Sequence, residues 1–103
     1  MSSTVSIYNP IIAALLKYNP QSTVSELQEQ LEYLQNKGYA KEISIEDILL
    51  TVEALQFDGK AEETFSKNDI YINSNGKNTL KLIIEKSSEK IKGIEGIIKR
   101  FKK

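Results

Sequence analysis

The chain has 103 residues, of which 40% are hydrophobic and 27% charged, with 14 basic and 14 acidic side chains and neither histidine nor cysteine. This length and balance predict a single globular, soluble domain rather than a disordered chain. Without cysteine and histidine the chain lacks disulfides, thiol nucleophiles, imidazole bases and the usual zinc ligands, so we expect a binding protein with no metal or other cofactor rather than an enzyme.

The neutral net charge hides an uneven distribution along the chain. Residues 1–75 carry five lysines against eleven acidic residues, a net of −6, whereas residues 76–103 carry eight lysines and one arginine against three glutamates, a net of +6. This asymmetry predicts a polar partner surface or self-association. No apolar run approaches the roughly 18 residues of a membrane span, and the N-terminus lacks a secretory signal pattern. We therefore expect a cytoplasmic protein with no membrane contact.

The first predicted element after a polar N-terminal arm (residues 1–9, either loose or a short strand) is a buried helix. Asn9 suits the N-cap and Pro10 the first helical position, where its missing N–H is not needed. The helix should end before Pro20, because the residue before a proline is pushed out of the helical region. Residues 11–16 are apolar on almost every side of this helix, so it should be largely covered.

Two further helices follow, each with a clear start signal. Thr23 and Glu26 form a predicted capping box for the second helix, which should close at Gly38. Ser44 is the predicted cap of the third helix, with acids in its first turn, and Gly59 belongs to the turn that ends it. Helical spacing predicts that the third helix buries Ile45, Ile48, Leu49, Val52 and Leu55.

The rest of the chain predicts a hairpin and a long basic helix. Residues 60–65 and 69–73 should form two strands, with Ile70 and Ile72 on one face. From residue 77 to residue 103, apolar side chains recur in a heptad pattern that favours pairing with a second copy of the chain. The alternative is that this stripe packs against its own domain. The dimerisation candidates are Leu80, Ile84, Ile91, Ile94, Ile98 and Phe101.

The order of helix, helix, helix, hairpin and helix resembles the winged helix-turn-helix family across residues 10–102, in particular small bacterial and archaeal regulators. The isoleucine- and lysine-rich composition would suit an archaeal or viral source. Four segments carry the resemblance: 11–16 is similar to the opening helix, 24–27 to the start of the second helix, 55–60 to the exit from the third helix into the wing, and 71–77 to the return strand entering a further helix.

The resemblance implies an α+β, mainly α-helical fold, with a winged-helix domain at residues 10–76 and a dimerisation helix at residues 77–103. It further implies a homodimer that binds double-stranded DNA, as a transcription regulator or small chromatin protein. The third helix would approach the major groove and the wing would contact phosphates. The DNA-binding candidates are Lys37, Lys41, Gln56, Lys60, Lys67, Lys99 and Arg100.

The third helix departs from a DNA-recognition helix, because its exposed side carries acids that phosphates would repel. The alternative function is a winged-helix module that binds another protein instead of DNA. An exposed leucine ringed by acids fits a basic and apolar partner. The docking candidates for this alternative are Glu46, Asp47, Leu50 and Thr51.

Overall fold

The computed structural model describes residues 8–103 and confirms the predicted α+β, mainly helical class. Its elements, in chain order, are α1 (Pro10–Tyr18), β1 (Gln21–Thr23), α2 (Val24–Asn36), α3 (Ile45–Phe57), β2 (Asp69–Tyr71), α4 (Ser74–Lys86), α5 (Ser88–Ile91) and α6 (Glu95–Lys99). The predicted N-terminal arm lies outside the described residues except for Tyr8, which is buried, and Asn9.

Helix α1 is the centre of the hydrophobic core. Residues 11–16 are all buried, with α2, α4, α5 and α6 packed around them. The predicted start is confirmed, since the Asn9 side chain accepts hydrogen bonds from the backbone N–H groups of Ile11 (2.9 Å) and Ile12 (3.2 Å). A helix that is apolar on every side is stable only when every side is covered. The C-terminal third of the chain provides much of this cover.

The prediction of one continuous helix over residues 77–103 is wrong, because this stretch contains three helices. Helix α4 begins earlier than predicted, at Ser74, where the Asn73 side chain accepts a hydrogen bond from the Gly76 N–H (2.9 Å). The chain leaves the helical conformation at Ser87 and again in a turn around Gly93, a residue of low helix propensity. These breaks allow the apolar stripe to fold around α1.

The predicted dimerisation residues lie inside the core of their own chain. Leu80, Ile84, Ile91, Ile94 and Ile98 are buried, and Phe101 is half-buried against the same core. The apolar stripe therefore packs against its own domain, which is the alternative that the heptad pattern left open. It does so because the apolar surface of α1 must be covered. The stripe is therefore not exposed for a seam between two copies.

The predicted hairpin is only partly formed, since residues 60–65 do not form a strand. The main partner of β2 is instead β1, a strand that was not predicted. The two strands are antiparallel, with Ser22 opposite Ile70. On the other side of β2, Ala61 forms an isolated bridge with Ile72. The rest of the predicted first arm is irregular, and the Thr64 hydroxyl donates to a carbonyl oxygen of the loop (2.6 Å). Ile70 and Ile72 are both buried, as predicted.

Helix α3 buries a different face from the predicted one. Three predicted core residues are indeed buried: Ile48, Val52 and Leu55. Ile45 and Leu49, however, are exposed, and Thr51 is buried in their place. The docking role predicted for Thr51 is therefore wrong, since its hydroxyl faces the backbone N–H of Asn9 at 3.5 Å. Residues 48, 51, 52 and 55 follow the spacing of a single helical face, which explains their common burial.

Candidate functional site

The exposed side of α3 combines large apolar side chains with acids. We call this surface the outer face of α3, defined by Ile45, Glu46, Leu49, Leu50, Glu53 and Phe57. Leu50 is 60% exposed and Phe57 is 92% exposed. Together with Glu53 they line a shallow hollow of about 550 Å³. Exposed apolar side chains that lie side by side offer a surface for contact with another molecule.

The start of α3 is fixed by a reciprocal cap, which gives Asp47 a structural role. Its carboxylate accepts a hydrogen bond from the Ser44 N–H (2.7 Å), and the Asp47 N–H lies 3.3 Å from the Ser44 hydroxyl. Such a cap satisfies backbone donors that the first turn leaves open. Of the predicted docking residues, Glu46 and Leu50 are therefore the two fully presented on the outer face of α3.

A narrower groove, of about 260 Å³, separates α3 from the loop that follows it. Leu49 forms part of its wall, and the charged residues that line it are Glu53, Glu63 and Lys67. The Gln56 amide, the predicted reader of a DNA base, donates instead to the carbonyl oxygen of Glu62 at 3.4 Å. This side of α3 is therefore predominantly acidic and apolar.

The predicted DNA-binding residues lie on several grooves. Lys37 and Arg100 line a groove between α2 and α6. Gln56 and Lys67 line the groove beside α3, and Lys60 lines another near Tyr8, Asp58 and α4. The two others are on exposed surface: Lys41 and Lys99. The structure thus brings together one pair of candidates that are distant in sequence, Lys37 and Arg100, and both have positive charge.

The groups with shifted pKa values stabilise the fold and do not lie on the outer face of α3. Burial, together with a hydrogen bond to Glu95 (2.9 Å), raises the pKa of Tyr18. The Lys103 ammonium, 2.7 Å from the carboxylate of Glu26, lowers the pKa of Glu26.

Within residues 8–103, no three carboxylates are placed to hold a metal ion, and no helix is both long and apolar enough to cross a bilayer.

The sequence pattern did not identify three exposed residues of α3 as surface residues: Ile45, Leu49 and Phe57. A signal for them was present, because eight of the thirteen residues of α3 are apolar. That is more than one helical face can bury against a core. The surplus predicts an exposed apolar surface, but it does not say which residues form it.

Comparisons of the chain with protein-family models, curated proteins and solved structures find no match.

Proposed function

We propose that this protein is a winged-helix interaction module whose outer face of α3 binds a basic, amphipathic helix of another protein. The observation that carries the proposal is the exposure of Leu50 and Phe57 on the same side of α3 as the carboxylates of Glu46 and Glu53. Apolar side chains would supply the contact area, and the acids would select a positively charged partner.

The order of the elements supports the winged-helix interpretation. A short strand, β1, follows the first helix, and β2 follows the third helix and pairs with β1. The loop before β2 would then be a reduced wing, attached to the sheet by the bridge between Ala61 and Ile72. In this interpretation α3 is the helix that a DNA-binding relative would insert into the major groove.

Duplex DNA fits the outer face of α3 less well than a protein partner does. Binding to DNA depends on cations that meet phosphates, whereas this face presents Glu46 and Glu53. The one amide suited to a base, that of Gln56, is directed towards Glu62. Exposed leucine and phenylalanine side chains gain more from an apolar partner than from phosphates.

A second copy of the chain also fits this surface less well than a different protein does. The basic C-terminal region has its apolar stripe buried, and among the described residues from 76 onwards Leu82 is the one large apolar side chain that is clearly exposed. A partner helix should present several apolar residues and lysines or arginines together. We therefore assign the outer face of α3 to a segment of another protein.

The test uses two synthetic helical peptides that share a leucine stripe, one with lysines and one with glutamates on the remaining positions. Fluorescence anisotropy with the full chain should show binding of the lysine peptide, weaker at higher salt, and little binding of the glutamate peptide. Leu50→Ser and Phe57→Ser should each weaken binding by about tenfold. Leu82→Ser, at an exposed leucine of α4, is the matched control and should leave binding unchanged.

Two results would overturn the proposal. One is equal affinity for both peptides, or affinity that neither Leu50→Ser nor Phe57→Ser reduces. The other is a dimer in sedimentation that Phe57→Ser dissociates, because the outer face of α3 would then be covered by a second copy of the chain.

A further inference from the structure

A groove that shares no residue with the outer face of α3 lies between the end of α2 and helix α6. It holds about 420 Å³, within the usual size range of small-ligand sites. Of the described residues, those that line it include two cations and no carboxylate. Six of them matter for its chemistry: Tyr33, Lys37, Tyr39, Gly96, Ile97 and Arg100. This basic groove therefore favours an anionic ligand.

Tyr39 is presented to the basic groove by a strained turn. Its two neighbours, Gly38 (φ 94°) and Ala40 (φ 55°), both have left-handed backbone conformations, which alanine rarely adopts. The Gln35 amide holds the turn, because it donates to the carbonyl oxygens of Ala40 (3.2 Å) and Ile43 (2.8 Å). The Tyr39 side chain remains 38% exposed. Strain of this kind is retained where the surroundings enforce it, often at functional sites.

The end of α2, which forms part of the basic groove, is also held by side-chain contacts. The Tyr33 ring packs edge-on against Phe101, with 5.6 Å between ring centroids. The Lys37 ammonium lies 5.4 Å from the centroid of the Tyr33 ring, a favourable contact between a cation and an aromatic face. A side-chain Cβ added at Gly96 would meet nothing within 4 Å, so the groove is open at that point.

We propose that the basic groove binds a nucleotide, with its base stacked on Tyr39 and its phosphate held by Lys37 and Arg100. Aromatic side chains stack on any nucleobase because every base has a flat π-face. Lysine and arginine bind phosphate through charge-assisted hydrogen bonds. A carboxylate ligand would use the two cations but would leave the exposed tyrosine ring without a partner. The nucleotide is either a free mononucleotide or one unit of a single strand.

The experiment compares three probes on the full-length chain by fluorescence anisotropy. They are a labelled oligodeoxythymidylate of about eight nucleotides, a labelled sugar-phosphate strand of the same length without bases, and unlabelled thymidine monophosphate as a competitor. The strand with bases should bind more tightly than the strand without them. Competition by the mononucleotide at concentrations similar to those of the strand would identify a free nucleotide as the ligand, whereas its failure to compete would identify a single strand.

Two variants test the two parts of the basic groove. Tyr39→Leu removes the stacking ring and should weaken binding of the strand by about tenfold, with no effect on the strand that lacks bases. Arg100→Gln removes a phosphate contact and should weaken binding of both strands by about fivefold. Lys99→Gln removes the same charge from the neighbouring exposed residue, which does not line the groove, and should change either affinity by less than about twofold. Circular dichroism spectra and thermal melts check that each variant is folded.

Three results would overturn the nucleotide site: equal affinity for strands with and without bases, equal losses in Lys99→Gln and Arg100→Gln, or no binding of any probe. The basic groove shares no residue with the outer face of α3. Phe57→Ser should therefore weaken binding of the helical peptide but leave binding of the strand unchanged. Failure of one proposal can therefore be distinguished from failure of the other.

Discussion

The buried carboxamide of Asn19 donates a hydrogen bond to the backbone carbonyl of Phe101, at 2.9 Å. The oxygen of the same carboxamide accepts one from the backbone N–H of Lys103 at 3.0 Å. Asn19 follows directly after α1, so one side chain holds the end of the chain against the end of the central helix. The C-terminal residues are therefore part of the same folded unit as α1.

We expect Asn19→Ala to lower the free energy of unfolding by about 1–3 kcal/mol, because the carbonyl of Phe101 and the N–H of Lys103 both lose their side-chain partner. Urea denaturation of the full chain measures this change. Asn78→Ala is the matched control, since Asn78 is exposed on α4, and it should alter the free energy of unfolding by less than about 0.5 kcal/mol. Equal effects of the two substitutions would mean that the carboxamide of Asn19 does not stabilise the C-terminus.

Gly76 should not tolerate a methyl group, because α4 begins in close contact with the chain before β2. A Cβ at this position would lie 2.0 Å from the carbonyl oxygen of Lys60 and 2.6 Å from the side chain of Ile72. Gly76→Ala should therefore lower the thermal midpoint and destabilise the fold by about 1–3 kcal/mol.

Gly96→Ala provides the comparison for Gly76→Ala. It lies within α6, and an added Cβ would meet no atom within 4 Å. Alanine should stabilise this position by about 0.4–1 kcal/mol through its higher helix propensity and its less flexible unfolded chain. A neutral or stabilising effect of Gly76→Ala would contradict the close contact between α4 and Lys60.

Local signals predicted the starts of α1, α2 and α3 correctly, because each start depends on residues close together in sequence. Asn9, Thr23 and Ser44 all cap their helices, and the last two form capping boxes with an acid three residues on. Such caps depend only on backbone donors of the first turn. The buried alternation of Ile70 and Ile72 was predictable for the same reason.

The wrong predictions concern partners that are distant in sequence. The heptad spacing of the C-terminal residues shows that they bury an apolar stripe, but it does not distinguish a second copy from α1 of the same chain. Strand β1 is three residues long and depends on pairing with β2, so no local pattern identifies it. On the candidate site, the acids of α3 were predictable, whereas the exposure of Leu49 and the juxtaposition of Lys37 with Arg100 depend on tertiary packing.

The stability of the protein should fall in alkaline solution partly because of Tyr8. Burial, together with a hydrogen bond to Asp58, raises the pKa of the Tyr8 phenol above its ordinary value of 10.0. Above that pH the unfolded chain loses the phenolic proton before the folded chain does, so the free energy of unfolding decreases as pH rises. At pH values below the ordinary pKa of tyrosine, the contribution of the protonated Tyr8 phenol to stability is fully present. Urea denaturation between about pH 9 and pH 12 should show this decrease.

Tyr8→Phe should be less stable than the original chain by about 0.5–1.5 kcal/mol at neutral pH, because the bond to Asp58 is lost. The free energy of unfolding of this variant should decrease less in alkaline solution than that of the original chain. Tyr18 should account for part of the remaining decrease, since the pKa of Tyr18 is also raised. Tyr71→Phe, at an exposed position, should retain the full decrease. An unchanged slope in Tyr8→Phe would show that Tyr8 is not the group that titrates.

Truncation to alanine should change the stability of the protein strongly on the buried side of α3 and hardly at all on the exposed side. Ile48 is completely buried, whereas Leu50, two residues later, is 60% exposed. Ile48→Ala removes core packing and should destabilise the fold by about 2–5 kcal/mol. Leu50→Ala removes a side chain that contacts mainly solvent and should change the free energy of unfolding by less than about 0.5 kcal/mol. Chemical denaturation of the two variants, with the original chain as reference, measures both changes.

This contrast bears directly on the outer face of α3 as a docking surface. A neutral Leu50→Ala would show that Leu50 does not stabilise the fold, as the docking proposal requires. Loss of peptide binding in this variant, with stability unchanged, is the expected combination. A large loss of stability would instead place Leu50 against the core, and the exposed apolar surface on which the docking proposal depends would not exist.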